Sequence, residues 1–405
     1  MKLLASYYEK FNEKSAKIVI ADLFIRALSL IFFPFLFGAL SFINIFYPIK
    51  IGFLYRERIG HLVTNTDIYL RKKYLGDFDS SVDIFFTYRP TNNQVCKLFS
   101  RTIPLIQSEF LTKIFAPFAI FNTRFVRNIP TFSNEYAEKI SAPSQVSFTT
   151  KEEYFGYLQL REMGISRHDW FVCIHARDNA FTKNLPSGLN YLSSGDYRNA
   201  NINTYNLAAK EIIERGGFVI RVGSVVEKPF EFDHPKVIDY SLKYRTDFMD
   251  IFLSASCRFF IGTANGATDI ASLFDTPTLM VNTVPIGYSP TSRHSMFIPK
   301  RVIDTNGEDV PYSEQLMFFQ KLPLDAKVDP TVNFTTKGWT LVDNTSEEIL
   351  HATLDMFDYL DRGYSLEEKY NPLLNKYFSL FDPDNIYIKS KSPCAPSFLK
   401  TLNLN

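Results

Sequence analysis

The chain has 405 residues, of which 44 are basic and 43 acidic, giving a formal net charge of +1 at pH 7. This length is too great for one ordinary core and predicts two domains with an appendage. The balanced charge argues against a nucleic-acid-binding protein, which would show a basic excess. The four cysteines form no CxxC pair and no metal-ligand spacing, which predicts a reducing compartment and no structural zinc.

The first predicted element is an apolar stretch, residues 27–49, that contains no charged residue. It reaches the roughly 20 residues needed to cross a bilayer. We expect Pro34 and Gly38 to interrupt a spanning helix, whereas the crowded aromatic residues and basic flanks are typical of a monotopic anchor in the membrane interface. A helical hairpin buried against the protein is the alternative. The sequence thus predicts a membrane-associating segment over residues 1–47.

Residues 48–165 are predicted to form a first α/β domain. Two strands are predicted, at 49–55 and 82–89, with a helix between them at 62–73. Two further helices are predicted after the second strand, at 104–121 and 151–164. Asp77 and Asp79 form a DxD pair, as do Asp382 and Asp384. Neither pair follows a buried strand, so both are interpreted as surface loops rather than metal sites.

Residues 166–350 show the clearest alternation of strands and helices. The strand candidates lie at 170–177, 218–223, 236–240, 258–263 and 277–282, and the helices at 203–215, 246–255 and 267–274. The strands are nearly continuous apolar runs, which predicts burial on both faces and hence a parallel, Rossmann-like sheet between helix layers. Residues 351–405 are predicted to be a helical tail.

Polar residues follow these predicted strands, at the edge where open α/β sheets bind ligands. Arginine forks match phosphate oxygens, and the helix that opens after Thr263 offers a positive dipole end. A nucleoside diphosphate is therefore predicted to contact His175, Arg177, Arg198, Arg221, Gly223, Asp239, Thr263, Asn265, Gly266 and Asn282. Residues 187–203 are predicted to be an active-site loop. For Arg221, a structural ion pair with Asp239 or Asp250 is the alternative.

A family resemblance rests on several segments taken together: FVCIHARD, DYRNANINTY, GGFVIRVG, VIDYS, DFMDIFLSASCRFFIGTANGATDIASLF and PTLMVN, with IGHLVTNTDIYLRK as a weaker echo. They resemble a family of bacterial glycosyltransferases from surface-polysaccharide gene clusters. The resemblance implies an α/β, GT-B-like fold, in which two Rossmann-like domains face each other across a cleft. The N-terminal apolar helical segment would precede them in the chain. Residues 48–165 would be the acceptor-side domain and residues 166–350 the donor-binding domain.

His175 and Arg177 form an HxR motif, which also resembles the donor-binding motif of fucosyltransferases. There the arginine contacts the diphosphate of the nucleotide sugar, which implies that role for Arg177. Those enzymes place an aspartate three positions after the arginine, where this chain has Ala180. The resemblance therefore does not imply GDP-fucose as the donor.

Two residues are candidates for the general base that an acceptor hydroxyl requires. His61 lies just after the first predicted strand, where several GT-B enzymes place a catalytic histidine, and its ordinary pKa suits the role. Asp178 competes with it, and the sequence leaves both open. No metal and no cofactor is predicted, because arginines and a helix terminus can stabilise a leaving diphosphate.

The combined prediction is a glycosyltransferase at the cytoplasmic face of the bacterial inner membrane. It would transfer a sugar from a nucleotide-sugar donor to a growing surface polysaccharide, such as capsule or O-antigen, or to a lipid-linked glycan. The predicted partners are donor, acceptor and membrane surface, with no nucleic acid. The alternatives are a polysaccharide pyruvyl transferase, a sugar-nucleotide epimerase, or a non-catalytic membrane-anchored assembly protein.

Overall fold

The computed structural model describes residues 16–130, 137–178, 180, 196–224, 226–284, 292–321, 331–381 and 392–402. The chain divides into two compact units, residues 1–131 and 132–405, and each is described by itself. The predicted divisions after residues 47, 165 and 350 stay predictions.

The first unit contains three strands and four helices among its described residues: α1 (Ala16–Ile43), β1 (Ile49–Phe53), α2 (Ile59–Leu75), β2 (Val82–Thr87), α3 (Asn93–Phe99), β3 (Leu105–Gln107) and α4 (Glu109–Ile120). The strands form one parallel sheet in the order β1-β2-β3. The predicted helix at 104–121 is wrong in its first turn, because Leu105 pairs with Phe85 of β2. Ser108 then ends the strand segment and caps α4 by accepting from the Leu111 amide.

Helix α1 is continuous from Ala16 to Ile43, so the predicted interruption at Pro34 and Gly38 is wrong. A proline removes one hydrogen bond from the middle of a helix, but packing beside it offsets that loss. The ring centroid of Phe33 lies 5.1 Å from that of Phe118 in α4, and Phe37 lies 5.2 Å from Phe125. The part of α1 from residue 19 to 43 is long and apolar enough to cross a membrane, by length and composition only, and it is mostly exposed rather than buried in a hairpin.

The second unit contains the remaining strands: β4 (Phe171–His175), β5 (Phe218–Arg221), β6 (Val237–Asp239), β7 (Phe260–Gly262), β8 (Thr278–Thr283), β9 (Ser295–Pro299), β10 (Arg301–Ile303) and β11 (Thr340–Val342). Its described helices are α5 (Ala137–Ser141), α6 (Thr150–Glu162), α7 (Asn206–Glu214), α8 (Tyr240–Lys243), α9 (Asp247–Ser256), α10 (Gly266–Leu273), α11 (Tyr312–Lys321), α12 (Thr331–Thr336), α13 (Ser346–Asp361), α14 (Asn371–Ser379) and α15 (Pro396–Leu399).

Six of these strands form one parallel sheet in the order β6-β5-β4-β7-β8-β9. The predicted parallel α/β sheet is confirmed, with β9 as a strand that the sequence reading missed. Numbered along the chain, the order is three-two-one-four-five-six, as in a doubly wound sheet. The direction in which strands are added therefore reverses between β4 and β7, and we call this place the switch point.

The sheet of the second unit is buried on both faces. Val172 and Ile174 point to a core that includes Ala209 of α7 and Met356 of α13. Cys173, between them on β4, points to the opposite core, which includes Phe252 of α9. This alternation explains why the strands are apolar throughout, since neither face meets water. It also directs polar side chains to the strand ends.

Candidate functional site

The switch point is closed by hydrogen bonds between the ends of β4 and β7. The Thr263 amide donates to the His175 carbonyl at 3.3 Å, and the Arg177 amide donates to the Thr263 hydroxyl at 3.1 Å. The Asn265 amide nitrogen lies 3.0 Å from His175 Nδ1. Four predicted site residues are thus brought together at the carboxyl edge of the sheet, where doubly wound folds bind their ligands.

Asn265 fixes the hydrogen-bonding state of His175. Its side-chain oxygen caps α10 by accepting from the amides of Ala267, at 2.8 Å, and Thr268, at 3.3 Å. Its NH₂ group must therefore face His175, so His175 Nδ1 accepts and Nε2 carries the proton. Burial, followed by the charge of Arg221, lowers the pKa of His175 to about 4. The histidine is neutral near pH 7.

The same capping bonds alter how the start of α10 can meet a ligand. Backbone amides at the start of a helix can bind an anion, but those of Ala267 and Thr268 donate to Asn265 within the protein. The positive end of the helix dipole remains, because it belongs to the whole helix. Gly266 is the first residue of α10 and is partly exposed.

Arg177 is partly exposed just beyond β4, and its guanidinium group donates to the Asn199 side chain. Its carbonyl accepts from the Ala200 amide at 3.0 Å. Lys300, which is 5 % exposed, donates to the Asn199 carbonyl at 2.8 Å and pairs with Asp343. The segment around Asn199 is thereby fastened on both sides, and it positions the Arg177 side chain.

Arg221 has a different environment at the end of β5. It is 2 % exposed; Nη1 lies 3.1 Å from an Asp239 oxygen, and Nη2 donates to the Lys228 carbonyl at 2.8 Å. Asp239 also accepts from the Phe230 amide at 3.1 Å. The geometry is that of the structural ion pair named as the alternative, and it braces the loop after β5.

Gly223 and Asn282 occupy constrained positions at two other strand ends. Gly223 has φ +155°, and a Cβ there would lie 2.9 Å from Val226 and 3.5 Å from the His175 ring. Asn282 is 1 % exposed and exchanges two hydrogen bonds of 2.6 Å with Asn344. A side chain at position 223 would therefore crowd Val226 and the His175 ring. Asn282 joins β8 to the loop before α13.

Asp178 directly follows Arg177, and Arg198 directly precedes Asn199, which Arg177 contacts. The two carboxylate oxygens of Asp178 accept from the amides of Ala180, at 3.0 Å, and Glu227, at 2.8 Å. Asp178 thus ties the loop after β4 to the loop after β5. Arg198 ends a short 3₁₀ helix, and its guanidinium lies 5.5 Å from the Tyr197 ring centroid. Much of the predicted active-site loop at 187–203 lies outside the described residues.

A cavity of about 380 Å³ opens beside these groups. It is lined by Ala176, Asp178, Asn199, Ala200, Asn201, Ile202, Glu227, Lys228 and Asp343. Its volume lies within the range of small-molecule sites. The sequence reading did not single out Asn199, Lys300 or Asp343. Asn199 lies in the predicted active-site loop at 187–203, but nothing in the sequence places Lys300 and Asp343 near it.

His61 belongs to the first unit, in the first turn of α2. It is partly buried, and its ring centroid lies 5.7 Å from that of Tyr55. Asp79 in the same unit pairs with Arg127 and Lys50, while Asp382 and Asp384 lie outside the described residues. Over the described ranges, no group of three or more His, Cys, Asp or Glu residues is placed to hold a metal ion.

Comparison with known proteins gives structural likenesses only. No protein-family model matches the sequence, and no curated protein matches it. E. coli ADP-heptose LPS heptosyltransferase II is similar at TM-score 0.44 and 12 % identity, over 78 % of this chain and 100 % of that one. A family 9 glycosyltransferase from Veillonella parvula gives 0.39 and 9 %, over 62 % and 86 %.

The E. coli heptosyltransferase WaaC with ADP gives a TM-score of 0.34 and 9 % identity, over 72 % of this chain and 99 % of that one. These structural neighbours are glycosyltransferases. At these identities and TM-scores the likeness carries no further conclusion about this chain.

Proposed function

We propose that the chain is a glycosyltransferase that binds the diphosphate of a nucleotide-sugar donor at the switch point of its second unit. This proposal depends on two hydrogen bonds between the ends of β4 and β7. Arg177 bonds to Thr263, and His175 bonds to Asn265. A doubly wound sheet leaves a crevice where its strand order reverses, and ligands bind there. The predicted polar residues meet at that crevice.

The charges at the switch point favour an anion. Arg177 presents a guanidinium fork that matches phosphate oxygens. The positive dipole end of α10 begins at Gly266, next to Asn265. After burial, the charge of Arg221 is the largest cause of the lowered His175 pKa. Because Arg221 is paired with Asp239, the groups that favour a diphosphate here are Arg177 and the dipole end of α10.

The cavity beside Arg177 supplies room for the rest of the donor. The carboxylates of Glu227 and Asp343 line it, and carboxylates accept hydrogen bonds from sugar hydroxyls. We therefore assign a sugar ring or the ribose of the donor to this cavity. When the glycosidic bond breaks, Arg177 and the start of α10 would stabilise the charge on the leaving diphosphate, with no metal required.

For the general base we favour His61 over Asp178. Both carboxylate oxygens of Asp178 already accept backbone amides, which suits a residue that positions loops. Histidine is the side chain that serves most often as a general base, which suits His61 for removing the proton of an acceptor hydroxyl. We also infer a GT-B-like fold, a lipid-linked or surface-polysaccharide glycan as acceptor, and a location at the cytoplasmic face of the inner membrane.

A thermal-shift screen of the full chain tests the donor site. We expect one of ADP, UDP, GDP, CDP or CMP to raise the Tm, because a ligand that binds only the folded state stabilises it. Arg177→Ala should lose that shift, while the matched control Arg215→Ala, at the exposed C-cap of α7, should keep it. If none of the five nucleotides shifts the Tm, the donor site is refuted and a pyruvyl transferase is favoured.

Transfer itself needs a second measurement. The nucleotide that raises the Tm, supplied as its sugar conjugate with a membrane extract, should release free nucleoside diphosphate or monophosphate. His61→Ala should lower this turnover without changing the nucleotide-induced Tm shift, because it leaves the donor site intact. Nucleotide binding without any turnover would favour the non-catalytic assembly protein.

A further inference from the structure

One side of the first unit is an exposed apolar surface. The outer side chains of α1 include Ile31 (63 % exposed), Phe35 (74 %) and Phe42 (65 %). The surface continues past the end of α1 and onto the end of α4, through Ile45, Phe46, Tyr47, Ile120 and Phe121. We call this set the α1 face. An apolar surface of this kind marks an interaction site, since soluble proteins rarely leave one uncovered.

The inner side of α1 is fixed along the first unit. Near its beginning, Asp22 pairs with Lys113 of α4 at 2.6 Å. In its second half, Phe33 and Phe37 pack on Phe118. A helix held at both places lies alongside the unit rather than projecting from it. Such a helix would meet a membrane in the plane of the interface and would not cross it.

A polar cavity of about 360 Å³ opens at the end of the α1 face. It is lined by Ser41, Asn44, Ile45, Arg124 and Phe125. The Asn44 side chain is used within the protein, since it donates to the Leu40 carbonyl and accepts from the Ile49 amide. Arg124 is therefore the group that gives this cavity its charge.

Arg124 is exposed and held in place without a neutralising partner in the described ranges. Its guanidinium lies 4.9 Å from the Phe125 ring centroid, and Nη2 lies 3.5 Å from the Ser41 hydroxyl. No carboxylate of the described residues forms an ion pair with it. A single cation beside aromatic and aliphatic side chains matches a lipid, which carries a phosphate above its acyl chains.

We propose that the α1 face is a monotopic membrane-binding surface, with a phospholipid phosphate bound at Arg124 and acyl chains packed against Ile31, Phe35 and Phe42. This rests on the membrane association proposed above and not on the donor site. The occupant is the membrane lipid rather than a second protein, because residues 27–49 carry no charge between Arg26 and Lys50. An uncharged stretch of this length suits the apolar layer of a bilayer, and Arg124 beside it suits a lipid phosphate.

Vesicle co-sedimentation of the full chain tests the lipid site. The vesicles contain phosphatidylcholine alone or with one quarter phosphatidylglycerol. Arg124→Ala should bind the anionic vesicles about fivefold more weakly, the loss of about 1 kcal/mol expected per surface cation. Arg362→Ala, which removes an equal charge from the second unit, should bind like the parent. Glycerol phosphate at millimolar concentration should not compete, because it lacks acyl chains.

The apolar contribution needs its own variant. Changing Ile31, Phe35 and Phe42 together to Gln should weaken vesicle binding more than about 100-fold, since each side chain loses its transfer into lipid. A control that changes the exposed Tyr154, Leu242 and Tyr244 to Gln should leave binding unchanged. Both variants must keep the parent's nucleotide-induced Tm shift, so that loss of membrane binding is separated from loss of the donor site.

Three results would overturn the proposal. Unchanged vesicle binding by both the Arg124 and the α1-face variants would remove the surface from consideration. Resistance of the Arg124→Ala protein to alkaline carbonate extraction from membranes would show a spanning helix. Dimerisation of the parent that the α1-face variant abolishes, without any vesicle binding, would assign the surface to a second copy of the chain.

Discussion

Two arginines at neighbouring strand ends of the second unit show how differently one residue type is used at one sheet edge. Arg177 lies at the switch point, is partly exposed, and contacts an uncharged asparagine. Arg221 lies one strand further out, is 2 % exposed, and pairs with Asp239. The outer strand end is stabilised by internal charge pairing, whereas Arg177 at the switch point is more exposed and hydrogen-bonds to Asn199. Strand order therefore separates the structural role from the binding role.

The largest expected effect tests the structural half of this comparison. Arg221→Met should lower the free energy of unfolding by about 3–5 kcal/mol, because Asp239 would keep a largely buried charge without its partner. Urea denaturation followed by circular dichroism measures the loss. Arg215→Met should cost less than about 1 kcal/mol, because Arg215 is exposed at the C-cap of α7 and its pair with Glu211 lies at the surface. Equal losses in the two variants would contradict the comparison.

Arg177→Ala tests the binding half. Turnover should fall by about 10²–10³, because one stabilising group is removed from the leaving diphosphate, while the free energy of unfolding should change by less than about 1 kcal/mol. Assays of nucleotide release and denaturation on the same preparation give both numbers. Arg177→Lys should restore only part of the activity, since an ammonium cannot form the bidentate fork. A stability loss as large as that of Arg221→Met would make Arg177 a structural residue.

His175 makes the stability of the switch point depend on pH. Burial and Arg221 lower its pKa to about 4, against about 6.5 in the unfolded chain. The unfolded state therefore binds more protons between these values, and stability falls as the pH falls. Between pH 7 and pH 5 we expect a loss of about 2 kcal/mol from this group. His175→Gln should flatten that part of the profile; an unchanged slope would assign it to other groups.

The smallest expected change in stability comes from Asn265, whose side chain caps α10 and also hydrogen-bonds to His175. Asn265→Ala should cost about 1 kcal/mol through the lost cap of α10. Asn265→Asp keeps an oxygen that can cap the helix, but replaces the donor to His175 Nδ1 with an acceptor. The His175 pKa should therefore rise in this variant, which an NMR titration of the ring can follow. A pKa that stays near 4 in the Asp variant would show that the amide does not set the protonation state.

Much of the central sheet could be predicted from the sequence because its strands are buried on both faces. The apolar runs containing β4, β5, β7 and β8 have no polar alternation, and only a parallel sheet accommodates that pattern. Strand β9 could not be predicted because its apolar run, residues 296–298, is short and the serine before it is buried through hydroxyl contacts. Ser295 lies 2.8 Å from the hydroxyl of Thr278 on the neighbouring strand. A serine at such a position looks like a loop residue in the sequence.

The candidate site could be predicted in part, for a related reason. The polar residues that end β4 and β7 were found because strand ends are where polar groups follow apolar runs. Which arginine would be neutralised could not be deduced, since that depends on β6 lying beside β5 and bringing Asp239 to Arg221. Lys300 and Asp343 could not be predicted because Lys300 meets Asn199 and Asp343 only in the folded chain.

The switch point also has a consequence for the newly synthesised chain. The two sides of the switch point come from distant segments of the chain, since Cys173 of β4 pairs with Phe260 of β7. By contrast, β4, β5 and β6 are consecutive along the chain, and each pairs with the next. On the ribosome, the half-sheet of β4 to β6 can form before β7 has been made, and the edge of β4 then stays open. We expect this interval to be the time when the chain is most prone to aggregate.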